Sequence, residues 1–230
     1  MTIAAPYVNS GNDLVLSLVP ADARHILDIG CGGGDNARRL KETRPGIRIV
    51  GITHSAEEAE LAAPFMAGVH VLDIERDLAT DLGGPFDLLM LSHVLEHTRD
   101  PVAVLRRFLP LLAEGGHVLI AVPNTLEWRT RMRFLGGKFQ YADHGILDRT
   151  HLRFFTYETA ARELVEPVSE LTLIARQGRG ALPFGRLRRR LLPAGLRNVL
   201  DEAAVRRLPN VFAGEVALLA RYAGLGKYST

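Results

Sequence analysis

Cysteine is almost absent from this sequence. Cys31 is the single one in 230 residues, so no intramolecular disulfide can form, and its place in a glycine turn favours a reducing compartment. A small residue filling a tight turn describes Cys31 better than a nucleophile does. An excess of one charge is missing too. The net charge of +2 is too small to argue for nucleic acid as a partner. No apolar run approaches the ~18 residues that a membrane span needs. The stretch Met1-Thr-Ile-Ala-Ala-Pro-Tyr7 has neither the basic nor the apolar part of a secretory leader. Internal repeats and low-complexity tracts are absent. What remains is a cytoplasmic globular protein, monomer or homodimer, whose 47% hydrophobic and 23% charged residues suit one domain with a cap.

The run His25-Ile-Leu-Asp-Ile-Gly-Cys-Gly-Gly-Gly-Asp35 is the most informative part of what is there. It reads as a buried strand, a glycine turn and a helix start, a unit that brings backbone N–H groups close to a ligand. Two cofactor classes use it, dinucleotides and S-adenosylmethionine. A dinucleotide fingerprint needs G-x-G-x-x-G after the strand, and counting from Gly30 the third glycine position falls on Asp35. Asp28, two residues before Gly30, can accept hydrogen bonds in the turn or reach an ammonium group through a water.

Strands and helices alternate through residue 122. Strands are predicted over His25–Ile29, Ile47–Ile52, Val69–Leu72, Phe86–Leu91 and His117–Val122. Helices are predicted over Asp13–Val19 and Asp35–Thr43, after the Ser55-Ala-Glu-Glu58 capping box, and from Pro101, behind Asp100 as N-cap, to Ala113 with Gly115-Gly116 as its end. Near-continuous apolar strands separated by amphipathic helices indicate a parallel sheet covered on both faces. Its ligands bind outside the carboxyl ends of the strands, which places Asp28, Thr53, Asp73, Ser92 and Asn124 along one edge. Later come a helix over Leu126–Leu135, one capped by Thr156 and running to Leu164, and strands over Leu171–Ala175 and Phe212–Ala220. The segments 124–155 and 177–210 form the cap.

Three motifs carry a family resemblance. Asp28-Ile-Gly30-Cys-Gly32-Gly-Gly34 resembles the D/E-x-G-x-G-x-G motif of the class I S-adenosylmethionine-dependent methyltransferases. Ser92-His93-Val-Leu-Glu96-His97, with Asp100-Pro101, is similar to the S-x-V-L-E-H-x-x-D-P segment of many bacterial small-molecule methyltransferases. Asp148-Arg-Thr-His151-Leu-Arg-Phe-Phe-Thr156 resembles the D-R-T-H-L-R-F-F-T run of one branch of them. The resemblance covers most of residues 22–165. It implies a doubly wound, Rossmann-like α/β sheet of seven strands, mostly parallel with the last antiparallel, with helices on both faces and a small cap, the whole of 1–230 being one domain. It also implies S-adenosyl-L-methionine as cofactor and S-adenosyl-L-homocysteine as product.

Carried onto these positions, the family pattern puts Asp28, Gly30, Gly32 and Gly34 around the cofactor. An acidic residue usually ends the second strand and holds the ribose, but Thr53 stands there, with His54 beside it as a helper or a solvent-facing residue. Asp73 would accept the adenine amino group and Ile74 would pack on the ring, the alternative for Asp73 being a turn or N-cap. Ser92 and His93 would sit by the methionine part. His97 is either a proton-transfer group or an orienting hydrogen bond.

Asp148 and His151 are three apart, so in a helical turn they would share a face and form a general-base pair. The other reading is a structural network of Asp148, Arg149 and His151. Arg129, Arg131, Arg133, Lys138, Arg149 and Arg153, and later Arg186, Arg188, Arg189 and Arg190, fit either a solvated basic face or an anionic, carrier-linked acceptor. The leading expectation is O-methylation of a sugar or secondary metabolite, with no metal. A nucleotide-cofactor oxidoreductase and a non-catalytic S-adenosylmethionine-binding module are the alternatives.

Overall fold

In the computed structural model, which describes residues 10–77 and 81–224, seven strands form one sheet. They are β1 (His25–Ile29), β2 (Arg48–Thr53), β3 (Gly68–Val71), β4 (Phe86–Ser92), β5 (Leu112–Pro123), β6 (Leu171–Gly180) and β7 (Ala213–Tyr222). Their order is β3-β2-β1-β4-β5-β7-β6. The first five are parallel, and β7 lies antiparallel between β5 and β6. The Met1–Tyr7 stretch read for a leader lies outside the described residues. Among those described, no helix is long and apolar enough to cross a membrane.

Each central strand is buried on both sides, which is why its residues are apolar without a two-residue break. Leu27, Ile29, Leu89, Leu91, Val118 and Ile120 point into one core. It is closed by α4 (Pro101–Phe108) and α6 (Thr159–Leu164). Ile26, Ile49, Leu88, Met90 and Leu119 point into the other. It is closed by α1 (Asp13–Leu18), α2 (Asp35–Thr43) and α3 (Ala56–Ala62). Ser55 on α3 and Asp100 on α4 cap as the sequence analysis expects, and Asn12 caps α1; each accepts from backbone N–H groups.

Several boundaries differ from the sequence reading. The helix expected to reach Ala113 ends at Phe108, followed by a 3-10 turn over Leu109–Leu111. Gly115 and Gly116 therefore lie inside β5, where the pairing with β4 shifts register between Phe86 and Leu88; glycine marks an irregular strand here rather than a helix end. α6 spans Thr159–Leu164, and Thr156 does cap its start as expected: its hydroxyl accepts from the Thr159 N–H and its carbonyl from the Ala160 N–H. Residues 177–180 belong to β6. The rest of that supposed insertion is two helices, α7 (Gly185–Leu191) and α8 (Ala194–Arg207), with a final turn over Pro209–Phe212.

The glycine turn owes three of its glycines to the fold, Gly32 with a φ of +51° among them. Gly30 and Gly34 have φ of +77° and +81°, and a Cβ at Gly34 would lie 2.9 Å from Ala62 Cα. Gly34→Ala combines a left-handed backbone with a clash against helix backbone, so we expect a loss of about 2 kcal/mol, read as a lower urea midpoint. An unchanged midpoint would show that α2 and α3 can slide apart freely.

Candidate functional site

The turn after β1 is fixed by Gly30 N–H and Cys31 N–H, which both donate to the Ile52 carbonyl, at 2.8 and 2.9 Å. It stands over Asp28, which is 1% exposed. Neither Asp28 oxygen has a hydrogen-bond partner among the described residues. Burial pushes its pKa up to about 7. A buried polar group is normally paired, so a carboxyl left bare at the end of a central strand, under a glycine turn, fits a bound ligand with N–H donors or positive charge. The same burial drives the Cys31 thiol upward, which makes it inert and supports its reading as a turn filler.

The second strand ends at buried Thr53, whose hydroxyl donates to Glu58 Oε2. Glu58 is itself buried, in the first turn of α3. An acid does stand at this strand end after all, supplied by a helix and reached through Thr53. The sequence reading takes Glu58 only as part of a capping box, and its N–H does donate to the Ser55 hydroxyl. His54 is exposed. Asp73 is exposed as well, and its Oδ1 accepts from Glu75 N–H at 2.9 Å, the turn role. Ile74 is half-buried against the core.

At the end of β4, Ser92 is half-buried and His93 turns left-handed at φ +55°. Its ring lies between two acids, Nδ1 3.3 Å from Glu96 Oε1 and Nε2 2.9 Å from Glu215 Oε2. Burial works against its charge, but the two carboxylates outweigh it and raise its pKa to about 10. Both ring nitrogens are thus engaged, so His93 meets a cofactor at most through its carbon edge. Glu215 on β7 also accepts from Asn12 Nδ2 at 2.7 Å. Glu215 and Asn12 give no signal in the sequence, because both are far along the chain from His93.

The D-R-T-H run is brought to this place by its backbone. Leu152 and Arg153 N–H donate to the Glu96 carbonyl, at 2.8 and 3.0 Å. The expected Asp148–His151 pair does not form, because residues 148–151 make a turn and not a helix. Asp148 Oδ1 accepts instead from the Thr150 N–H and hydroxyl, at 2.8 and 2.7 Å. Burial would raise the Asp148 pKa, but these bonds outweigh it and hold it below the usual carboxylate range. The Thr150 hydroxyl meets His97 Nδ1 at 3.0 Å, while His151 Nδ1 donates to the Ile146 carbonyl at 3.1 Å. The two imidazoles stand edge to face, 4.7 Å between centres. Burial pushes the His97 pKa below its ordinary value.

Several of the basic residues are occupied within the chain. Arg131 donates to Leu126 O, Arg153 to Arg99 O, Arg149 pairs with Asp143 and Arg188 with Asp201. This favours the solvated or structural reading over an anion site at those four. The two cap segments are also joined to each other. Trp128 Nε1, at the start of α5 (Trp128–Leu135), donates to Ala181 O at 2.9 Å, and Asn124 Nδ2 to Asn210 O at 3.2 Å.

Comparison with known proteins agrees with this geometry. A family model described as a methyltransferase domain matches residues 7–166. A ubiquinone biosynthesis O-methyltransferase of Xanthomonas axonopodis pv. citri is 31% identical over 127 residues, 53% of this chain and 52% of the relative. The chain spans about half the length of the curated relatives it matches. Among solved structures, a SAM-dependent methyltransferase from Archaeoglobus fulgidus aligns with a TM-score of 0.58 at 19% identity, covering 87% of this chain and 86% of the other. The plantazolicin methyltransferase BpumL, solved in complex with SAH, aligns at 0.54 and 19%, covering 87% and 76%.

Proposed function

This chain belongs to the methyltransferase-domain family, and we propose that it transfers a methyl group from S-adenosylmethionine to a hydroxyl oxygen of a small molecule, a sugar or secondary metabolite. The observation that carries the cofactor is Asp28, buried beneath the glycine turn with no partner among the described residues. Thr53 with Glu58 supplies hydroxyl-binding acceptors at the next strand end. The likeness to ubiquinone biosynthesis O-methyltransferases supports oxygen as the acceptor atom.

When bound, the cofactor supplies a methyl group already activated on a sulfonium. The chain supplies alignment, which carries most of the barrier reduction, and a place for the proton. The hydroxyl proton goes to His151 Nε2, whose lone pair is free because Nδ1 holds the proton donated to Ile146. His97, tied through Thr150 to Asp148, keeps that ring in place. α5 and the loop behind it carry exposed Met132, Leu135, Phe139 and Tyr141, an apolar wall suited to covering an acceptor.

Calorimetric titration tests this reading. S-adenosylmethionine and S-adenosylhomocysteine are expected to bind with Kd of about micromolar, and NADH not at all. Failure of both adenosyl ligands to bind would overturn it. Binding without turnover across a panel of hydroxylated acceptors would instead favour a non-catalytic module.

A further inference from the structure

Glu96, His97 and His151 each offer a donor atom, and these three atoms lie within 4.8 Å of one another. We propose that they form a binding site for a first-row divalent metal ion of the Zn2+ or Fe2+ type, beside the acceptor position. The inference rests on the functional reading above only for what the ion would do; the site itself rests on the bonds that its residues already make.

Those bonds settle which atoms are free. His151 Nδ1 faces a carbonyl, which can only accept, so that nitrogen carries the proton and Nε2 keeps its lone pair. The Thr150 hydroxyl spends its hydrogen on Asp148, so it must accept from His97 Nδ1, and His97 Nε2 is likewise left as a lone pair. Glu96 Oε1 is held by His93. Glu96 Oε2 is buried with no partner among the described residues, in a side chain only 1% exposed. Two imidazole nitrogens and one carboxylate oxygen remain.

Each donor is backed from behind: a carbonyl behind His151, a hydroxyl and carboxylate relay behind His97, the His93 ring behind Glu96. Metal-ligating histidines are oriented in this way, through the nitrogen that does not bind. Two histidines and one carboxylate form a ligand set with open positions, typical of such ions. Metal–ligand distances of about 2.1 Å need donors about 3.5 Å apart. The exposed His97 turn has only to close by about an ångström. An ion there would bind the acceptor oxygen at an open position, where its hydroxyl proton leaves to water; His151 would then be a ligand rather than the base.

The test is titration of the tag-free, chelator-treated full chain with Co2+, read by its visible absorption, and with Zn2+ in competition. We expect one ion per chain, at least 100-fold weaker binding in His97→Ala and His151→Ala, and about 10-fold weaker binding in Thr150→Val. S-adenosylmethionine affinity, measured on the same samples, stays within twofold. No saturable binding by the wild type, or binding that both histidine variants keep, would overturn the site. Loss of cofactor binding by the wild type itself would sink the functional reading and leave the metal result standing.

Discussion

Asp28→Asn will weaken S-adenosylmethionine binding about 100-fold, some 3 kcal/mol, while the ligand-free chain becomes no less stable. The two effects separate because the carboxyl is costly to ionise in the empty fold and valuable once a donor or cation stands against it. Its pKa is about 7 in the folded chain against an ordinary 3.8, so the folded state holds a proton that the unfolded state gives up. Stability from this group is therefore lost as pH rises from about 4 to about 7, and asparagine removes that slope. Cofactor binding near about pH 6 should release up to one proton, visible as a binding enthalpy that depends on the buffer. A D28N chain that binds with wild-type affinity would assign Asp28 to the fold alone.

His93→Asn is the second large effect. Asparagine tolerates the left-handed backbone but cannot carry the charge that faces Glu96 and Glu215. Leaving Glu96, 1% exposed, against a second carboxylate without that cation costs about 3 kcal/mol; solvent at the ring edge, where His93 is 31% exposed, keeps the loss from being larger. The folded pKa of about 10 lies above the ordinary 6.5. The stabilisation is thus full below 6.5 and is lost as pH rises towards about 10. Urea midpoints of the two chains should differ most near about pH 6 and converge only as pH reaches about 10. A gap that is constant across this range would mean that His93 acts through packing and not charge. Glu215→Gln added to the H93N chain should recover part of the loss.

The parallel half of the sheet is legible in the sequence because local signals agree there. His25–Ile29 is an unbroken apolar run around one acid, and Asp35, Ser55 and Asp100-Pro101 punctuate the helices. Where one signal has two meanings the reading fails: Gly115-Gly116 stops a helix in one context and bends a strand in another. Spacing within one segment also misleads, since Asp148 and His151 suggest a pair only if the chain between them is helical. The partners that matter most at the site, Glu58 behind Thr53, Glu215 behind His93 and Thr150 between Asp148 and His97, are contacts of tertiary structure. No periodicity encodes them.

The position of β7 between β5 and β6 has a consequence for the order of events during synthesis. β6 pairs with β7 and not with β5, so when residues 171–180 leave the ribosome they have no edge to join. They must wait for residues 213–222. That same strand carries Glu215, the anchor of His93. A nascent chain can therefore assemble its glycine turn early, but the His93–Glu215 contact forms only after residues 213–222 have emerged, and a chain stalled before residue 213 lacks that contact and the pairing of two strands together.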